Sequence, residues 1–165
     1  MPKGIVIRAD MKAQPEFRDF DNRADLEAVA GAPLKVVPIP QLEVVVVANA
    51  EGNRRGLPVN TYATLLWWFW APAIRRQVVL LGDVIVVGEP DPDGQPTNIP
   101  ASFASGVLSQ HGHSVTLKVT GEKDWYRTEA AANNYFDAIV LAFDLLDNWP
   151  EAEAARIVPR EPHEA

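Results

Sequence analysis

The sequence predicts an α+β fold of the ferredoxin-like kind, a two-layer βαββαβ unit followed by a C-terminal strand and helix. Three observations carry that expectation. Short runs rich in valine and isoleucine recur at residues 4–9, 34–39, 43–50 and 84–87, the composition of strands. Between them lie two segments with cap and stop residues at their ends, 23–30 and 61–71, the punctuation of helices. The second and third runs are separated only by Pro40, Gln41 and Leu42, a turn that suits an antiparallel hairpin. The order strand, helix, strand, strand, helix, strand is satisfied by one antiparallel sheet with both helices on one face.

Each element has a local reason. GIVIRA at 4–9 is apolar and β-branched, and the polar stretch after it has room for a short edge strand at 16–20. Asp21 or Asn22 caps a helix over 23–30, with Leu26 and Val29 on one face and Gly31 as its stop. LKVVPI and EVVVVANA form the hairpin, and EGNRR leads into the central helix. Gly56 and Pro58 mark a turn, Asn60 is a good N-cap, and Pro72 cannot continue a helix. At about 100° per residue, Tyr62, Leu65, Leu66 and Phe69 share one side of this helix. Trp67 and Trp70 widen the stripe, and Thr64 and Trp68 lie opposite. A helix so apolar all round needs cover on two sides. It is far shorter than the roughly 20 residues of a membrane span, so no membrane role is expected.

Residues 78–81 read as an extended lead-in, Gly82-Asp83 as a break, and 84–87 as a single strand. The loop EPDPDGQPTNIP ends the first unit, which sets a core domain at 1–93 and an acidic extension at 94–165. Within the extension a small helix or turn is expected at 103–108, an alternating strand at 114–119, a turn at 121–124 and a long helix over 129–148. That helix is expected to pack on the core, and the charged tail 150–165 to stay flexible.

Composition narrows the chemistry. The 165 residues include no cysteine, which excludes disulfides, thiolate nucleophiles and sulfur-ligated zinc. The net charge of −7 is concentrated late: residues 1–120 hold 12 acidic and 11 basic side chains, residues 121–165 hold 10 and four. An acidic chain without a basic stripe is a poor match for nucleic acid. The strand runs 4–9 and 43–50 also lack the aromatic residues on which RNA-recognition sheets stack bases. The start MPKGIVIRAD enters a strand-like run with no apolar segment of signal-peptide length, so a cytoplasmic protein is expected.

The pattern GIVIRAD, then LPVN followed by Ala63-Thr64 and Leu65-Leu66, then GDVIVVG resembles a small uncharacterised domain family of phages, mobile elements and actinobacteria, a domain of unknown function. The resemblance covers residues 2–93. It implies a phage or prophage accessory protein in the host bacterium's cytoplasm, and it carries no known activity, cofactor or catalytic residue.

The candidate sites are few. His111 and His113 in a His-x-His would share one face of a strand, a geometry open to a metal, but no third ligand is near and His163 lies in the tail. A surface loop explains them better. Asp91 and Asp93 before Gly94 lack the further oxygen ligands of a calcium loop and read as turn residues. No Walker loop, GxGxxG or GxSxG elbow is present, and no cofactor or catalytic residue is assigned. Arg54, Arg55 and Asn60 stand at the start of the central helix, where free N–H groups and the dipole favour an anion. Arg75 and Arg76, at its other end, need no ligand to explain them.

Two readings follow. The first is a non-enzymatic interaction protein that engages a host protein, or a second copy in a homodimer. Its surface is the indole-rich helix end at Trp67, Trp68 and Trp70, together with Asp137, Asp144 and Glu151, which recur every seven residues along the C-terminal helix. An acidic mimic of DNA is a special case of it. The second is a small-molecule or nucleotide binder that uses Arg54, Arg55 and Asn60.

Overall fold

A computed structural model describes residues 2–161 and shows a mixed α and β fold, with two antiparallel sheets and four α-helices among those residues. The chain divides into two compact units, Met1–Ala104 and Ser105–Ala165. The division falls inside a short helix rather than in the proline-rich loop before it, because that loop is tied back to the first sheet. Gly88 N–H donates to Thr97 O at 3.0 Å, Ile99 N–H to Lys3 O at 2.9 Å, and Lys3 N–H to Asn98 Oδ1 at 2.9 Å.

The first unit contains strands β1 (Lys3–Ile7), β2 (Glu16–Asp19), β3 (Leu34–Ile39), β4 (Val44–Asn49) and β5 (Val84–Gly88), with helices α1 (Arg23–Ala30) and α2 (Thr61–Trp70). These elements match the sequence reading closely, including the β3–β4 hairpin and the single strand β5. The strand order is β2-β1-β5-β4-β3, every ladder antiparallel. A ferredoxin-like sheet would set β1 between β4 and β5, whereas here β5 lies between β1 and β4. The cause is β2, which pairs with β1 from Lys3↔Asp19 to Val6↔Glu16. The chain therefore enters α1 already reversed and covering one flank of β1, and α1 carries it to the far edge of the sheet.

β4 and β5 are buried at every position, which explains their unbroken valine runs: a strand covered on both faces has no polar side to alternate with. One face gathers Val6, Val45, Val47, Ile85 and Val87 under Phe20, Leu26 and Ala30, the last two from α1. On the other face Ile5, Ile7, Val44, Val46, Val84 and Val86 are buried as well, aligned by the register Ile5↔Val86 and Val46↔Val86.

Helix α2 buries Ala63, Thr64 and Leu66. Thr64, placed on the opposite side by helical periodicity, is inside because its hydroxyl accepts the N–H of Leu80 at 2.9 Å. That bond draws the extended stretch 78–81 alongside the helix. A backbone bond from Asn60 N–H to Leu80 O, 2.8 Å, makes the same connection one turn earlier.

The second unit holds a three-stranded sheet in the order β7-β6-β8, formed by β6 (His113–Val119), β7 (Tyr126–Ala132) and β8 (Ala152–Pro159), with α4 (Tyr135–Asn148) packed on it. Helix α3 (Ala101–Val107) precedes it. Tyr135, Phe136, Ala138, Ile139, Ala142 and Phe143 form the buried side of α4, and Val115 and Leu117 are buried on β6. Two sequence expectations change here. The helix expected from 129 begins at Tyr135, because Asn134 caps it and the alanine-rich residues before it pair as β7. The stretch expected to be flexible from 150 forms β8, paired with β6 from His113↔Pro159 to Val119↔Ala152; residues 162–165 of that tail, and with them His163, lie outside the described residues. Among the described residues no helix is long and apolar enough to cross a membrane.

Candidate functional site

Arg54 and Arg55 lie in the turns before α2, and both reach Glu51, at 3.7 and 3.4 Å. Asn60 is fully buried and its amide is committed to the fold. Its Oδ1 accepts Ala63 N–H at 3.0 Å, and its Nδ2 donates to Ile7 O and Gly82 O, each at 2.9 Å. The structure thus gives the two arginines an exposed carboxylate and Asn60 a buried backbone role. It does not join the three around a common space.

The indole-rich end of α2 is half-buried throughout. Trp68 Nε1 donates to Val78 O at 2.7 Å, Phe69 and Trp70 meet edge to face at 5.4 Å, and Gln41 Nε2 donates to Trp70 O at 3.0 Å. Val59, Val78 and Val79 nearby in the fold are exposed, since the Val59↔Leu81 bridge and the Trp68–Val78 bond hold both segments beside the helix. At the end of β1, Asp83 accepts Ala9 N–H at 2.9 Å and an Arg8 bond at 3.0 Å. The hydrogen bond to Asp83 leads the causes that raise Arg8 above its ordinary value; burial opposes it, and Glu16 adds to it.

On α4 the acidic residues divide. Asp137 belongs to the cap: Asn134 Oδ1 accepts its N–H at 2.9 Å and Asn134 Nδ2 donates to its carboxylate at 2.8 Å. Asp144 is exposed on the side away from Phe136, Ile139 and Phe143. Glu151 lies beyond the helix, which ends at Asn148, so it does not continue the seven-residue row. Its carbonyl accepts Thr120 N–H at 2.7 Å and the Thr120 hydroxyl at 3.1 Å. The exposed acidic row of α4 is instead Asp137, Asp144 and Asp147, with Val140 among them.

His111 and His113 separate as well. His111 is exposed before β6, while His113 is fully buried, its Nε2 bonded to Gly106 O and its ring edge-on to Tyr135 at 5.6 Å. Among the described residues no group of three or more histidine, cysteine or carboxylate side chains could hold a metal ion. Asp91 is a turn residue, its Oδ1 accepting the N–H groups of Asp93 and Gln95, both at 2.9 Å.

One feature of the second unit escaped the sequence reading. Val119, Glu122, Asp124, Trp125, Tyr126 and Trp149 line an open cleft of about 510 Å³. The rings of Tyr126 and Trp149 meet nearly perpendicularly, at 71° and 5.8 Å, and the guanidinium of Arg156 lies 3.8 Å from the centre of the Trp125 ring. Trp149 is remote from the other two in sequence, and the β6–β8 ladder and the Thr120–Glu151 bonds help bring it there. The signal available beforehand was an aromatic pair inside an acidic turn, Glu122-Lys123-Asp124-Trp125-Tyr126.

Comparison with known proteins gives one finding. The family model for a domain of unknown function, DUF3846, matches residues 2–111. No curated protein and no solved structure matches the chain. The match includes every residue of the GIVIRAD, LPVN and GDVIVVG pattern, and it extends past residue 93 through the loop that returns to the first sheet.

Proposed function

The chain belongs to the DUF3846 family, and from that premise we propose that it is a non-enzymatic accessory protein of a phage or mobile element, acting in the host cytoplasm by binding a host protein. The observation that carries this reading is the exposed acidic row on α4. The helix bears three aspartates and no basic residue, and nothing basic stands in its last turn. A helix C-terminus favours cations by about 0.3–1 kcal/mol each, so the dipole gives no reason for acidic side chains late in α4. Acid exposed along one helix face suits a partner with a basic surface. A host enzyme that acts on DNA has such a surface, and an acidic row would compete with the phosphate backbone for it. The alternative, an anion-binding helix start, has less support, because Arg54 and Arg55 share Glu51 and Asn60 is occupied inside the fold.

The test is capture from host lysate by the immobilised wild type and by Asp144→Asn/Asp147→Asn, which leaves the Asn134–Asp137 cap untouched. A discrete partner, displaced by added DNA and captured about tenfold less by the variant, is the expected result. Equal capture by both proteins removes the acidic row from the account.

A further inference from the structure

We propose that the cleft at Trp125, Tyr126 and Trp149 binds a quaternary ammonium group. The inference stands apart from the acidic row of α4 and rests on the lining of the cleft alone. Its walls are three aromatic side chains and Val119, with Glu122 and Asp124 at the turn. A cation facing aromatic rings is held by their quadrupoles, more strongly when desolvated, and aromatic cages recognise methylated ammonium groups in this way.

The geometry suits that ligand. Tyr126 and Trp149 stand at 71° to each other and so form two walls of a corner rather than a flat stack. Arg156, 3.8 Å from the Trp125 ring centre, pins that indole. The floor is fixed too. Thr120 bonds Glu151 O through both its N–H and its hydroxyl, and Ala152 N–H donates to Trp149 O at 3.0 Å, so the turn bearing Trp125 is tied to the helix end bearing Trp149.

Two carboxylates stand against the single guanidinium charge on Trp125. Glu122 and Asp124 form no salt bridge among the described residues. The nearby ammonium of Lys118 is turned to the backbone carbonyls of Glu122 and Lys123. A primary ammonium would bring N–H donors that Val119, Trp125 and Trp149 cannot accept. A fully methylated nitrogen presents only C–H groups to the rings and keeps its charge for the two carboxylates.

Two sources share this chemistry, a free small cation and a trimethyl-lysine side chain. The experiment follows the indole N–H resonances of the full chain during titration with tetramethylammonium chloride, a trimethyl-lysine peptide and the same peptide unmethylated. Saturable shifts of the Trp125 and Trp149 signals with tetramethylammonium or the methylated peptide are expected, with the unmethylated peptide at least about tenfold weaker. Tighter binding of the peptide than of tetramethylammonium assigns a protein side chain, and equal binding assigns a free cation. Trp149→Leu should weaken binding about tenfold, and Glu122→Gln/Asp124→Asn, on an exposed turn, about fivefold. Retained slow amide exchange in β6, which lies in the same unit as the cleft, reports that each variant is folded. Absence of saturable shifts with both methylated probes, equal affinity for the unmethylated peptide, or unchanged binding in the carboxamide variant overturns the proposal.

Discussion

At the scale of one residue, Asn60 joins three parts of the first unit. Its oxygen caps α2, and its two N–H groups reach the carbonyl at the end of β1 and the one just before β5. All of this happens at full burial, where an orphaned acceptor costs about 1–3 kcal/mol and a lost cap about 1. Asn60→Ala should therefore destabilise the protein by about 3–5 kcal/mol, read as a lower urea midpoint at unchanged slope. Asn60→Asp separates the roles, since it keeps the capping oxygen, loses both donors and sets a carboxylate against two carbonyl oxygens. It should be no more stable than the alanine variant; near-native stability would show that the cap alone matters. The capping half of this was legible, because an asparagine before an apolar run has few other readings. The donors were not: Ile7 O and Gly82 O are 53 and 22 residues away, and local sequence carries no trace of them.

At the scale of elements, legibility followed composition. The valine-rich strands and the capped helices of the first unit declared themselves, since burial on both faces leaves unbroken apolar runs. YRTEAAA and AEAARIVP did not. Alanine and glutamate are strong helix formers, yet both segments pair with β6, whose alternating SVTLKV run offers two ladders. Tertiary pairing overrides propensity in such segments. The start of α4 gives a test whose sign separates the two possibilities. Were the helix to begin at 129, Asn134 would lie inside it, and alanine there would stabilise by propensity. As the N-cap, bonded to Asp137 through both ends of its amide, Asn134 should cost about 1 kcal/mol when changed to alanine and roughly half that or less when changed to serine, which retains a capping oxygen. Urea unfolding of Asn134→Ala and Asn134→Ser decides it; a stabilised alanine variant would return the helix to the earlier start.

At the scale of the whole chain, the two units were unequally readable because they are closed differently. The first combines two local pairings, β1–β2 and β3–β4, with a valine-rich strand, β5, set between them and a returning loop. The second depends on its last strand, and β8 completes the sheet by pairing along the whole length of β6, from His113 to Val119. If residues 152–165 were a loose tail, removing them would leave stability unchanged. With β8 in place, a chain ending at residue 151 strips β6 of one entire ladder. It also uncovers the edge of a strand that carries the buried Val115 and Leu117, and an unpaired apolar edge is a site of aggregation. Truncation should therefore abolish slow hydrogen exchange in β6, raise binding of a hydrophobic dye and lower solubility. Slow exchange should persist in β4 and β5, whose partners all lie before residue 104. Amide exchange read strand by strand checks both halves at once: protection of β6 that survives the truncation would mean that β8 is dispensable, and loss of protection in β4 and β5 would mean that the first unit does not hold by its own ladders.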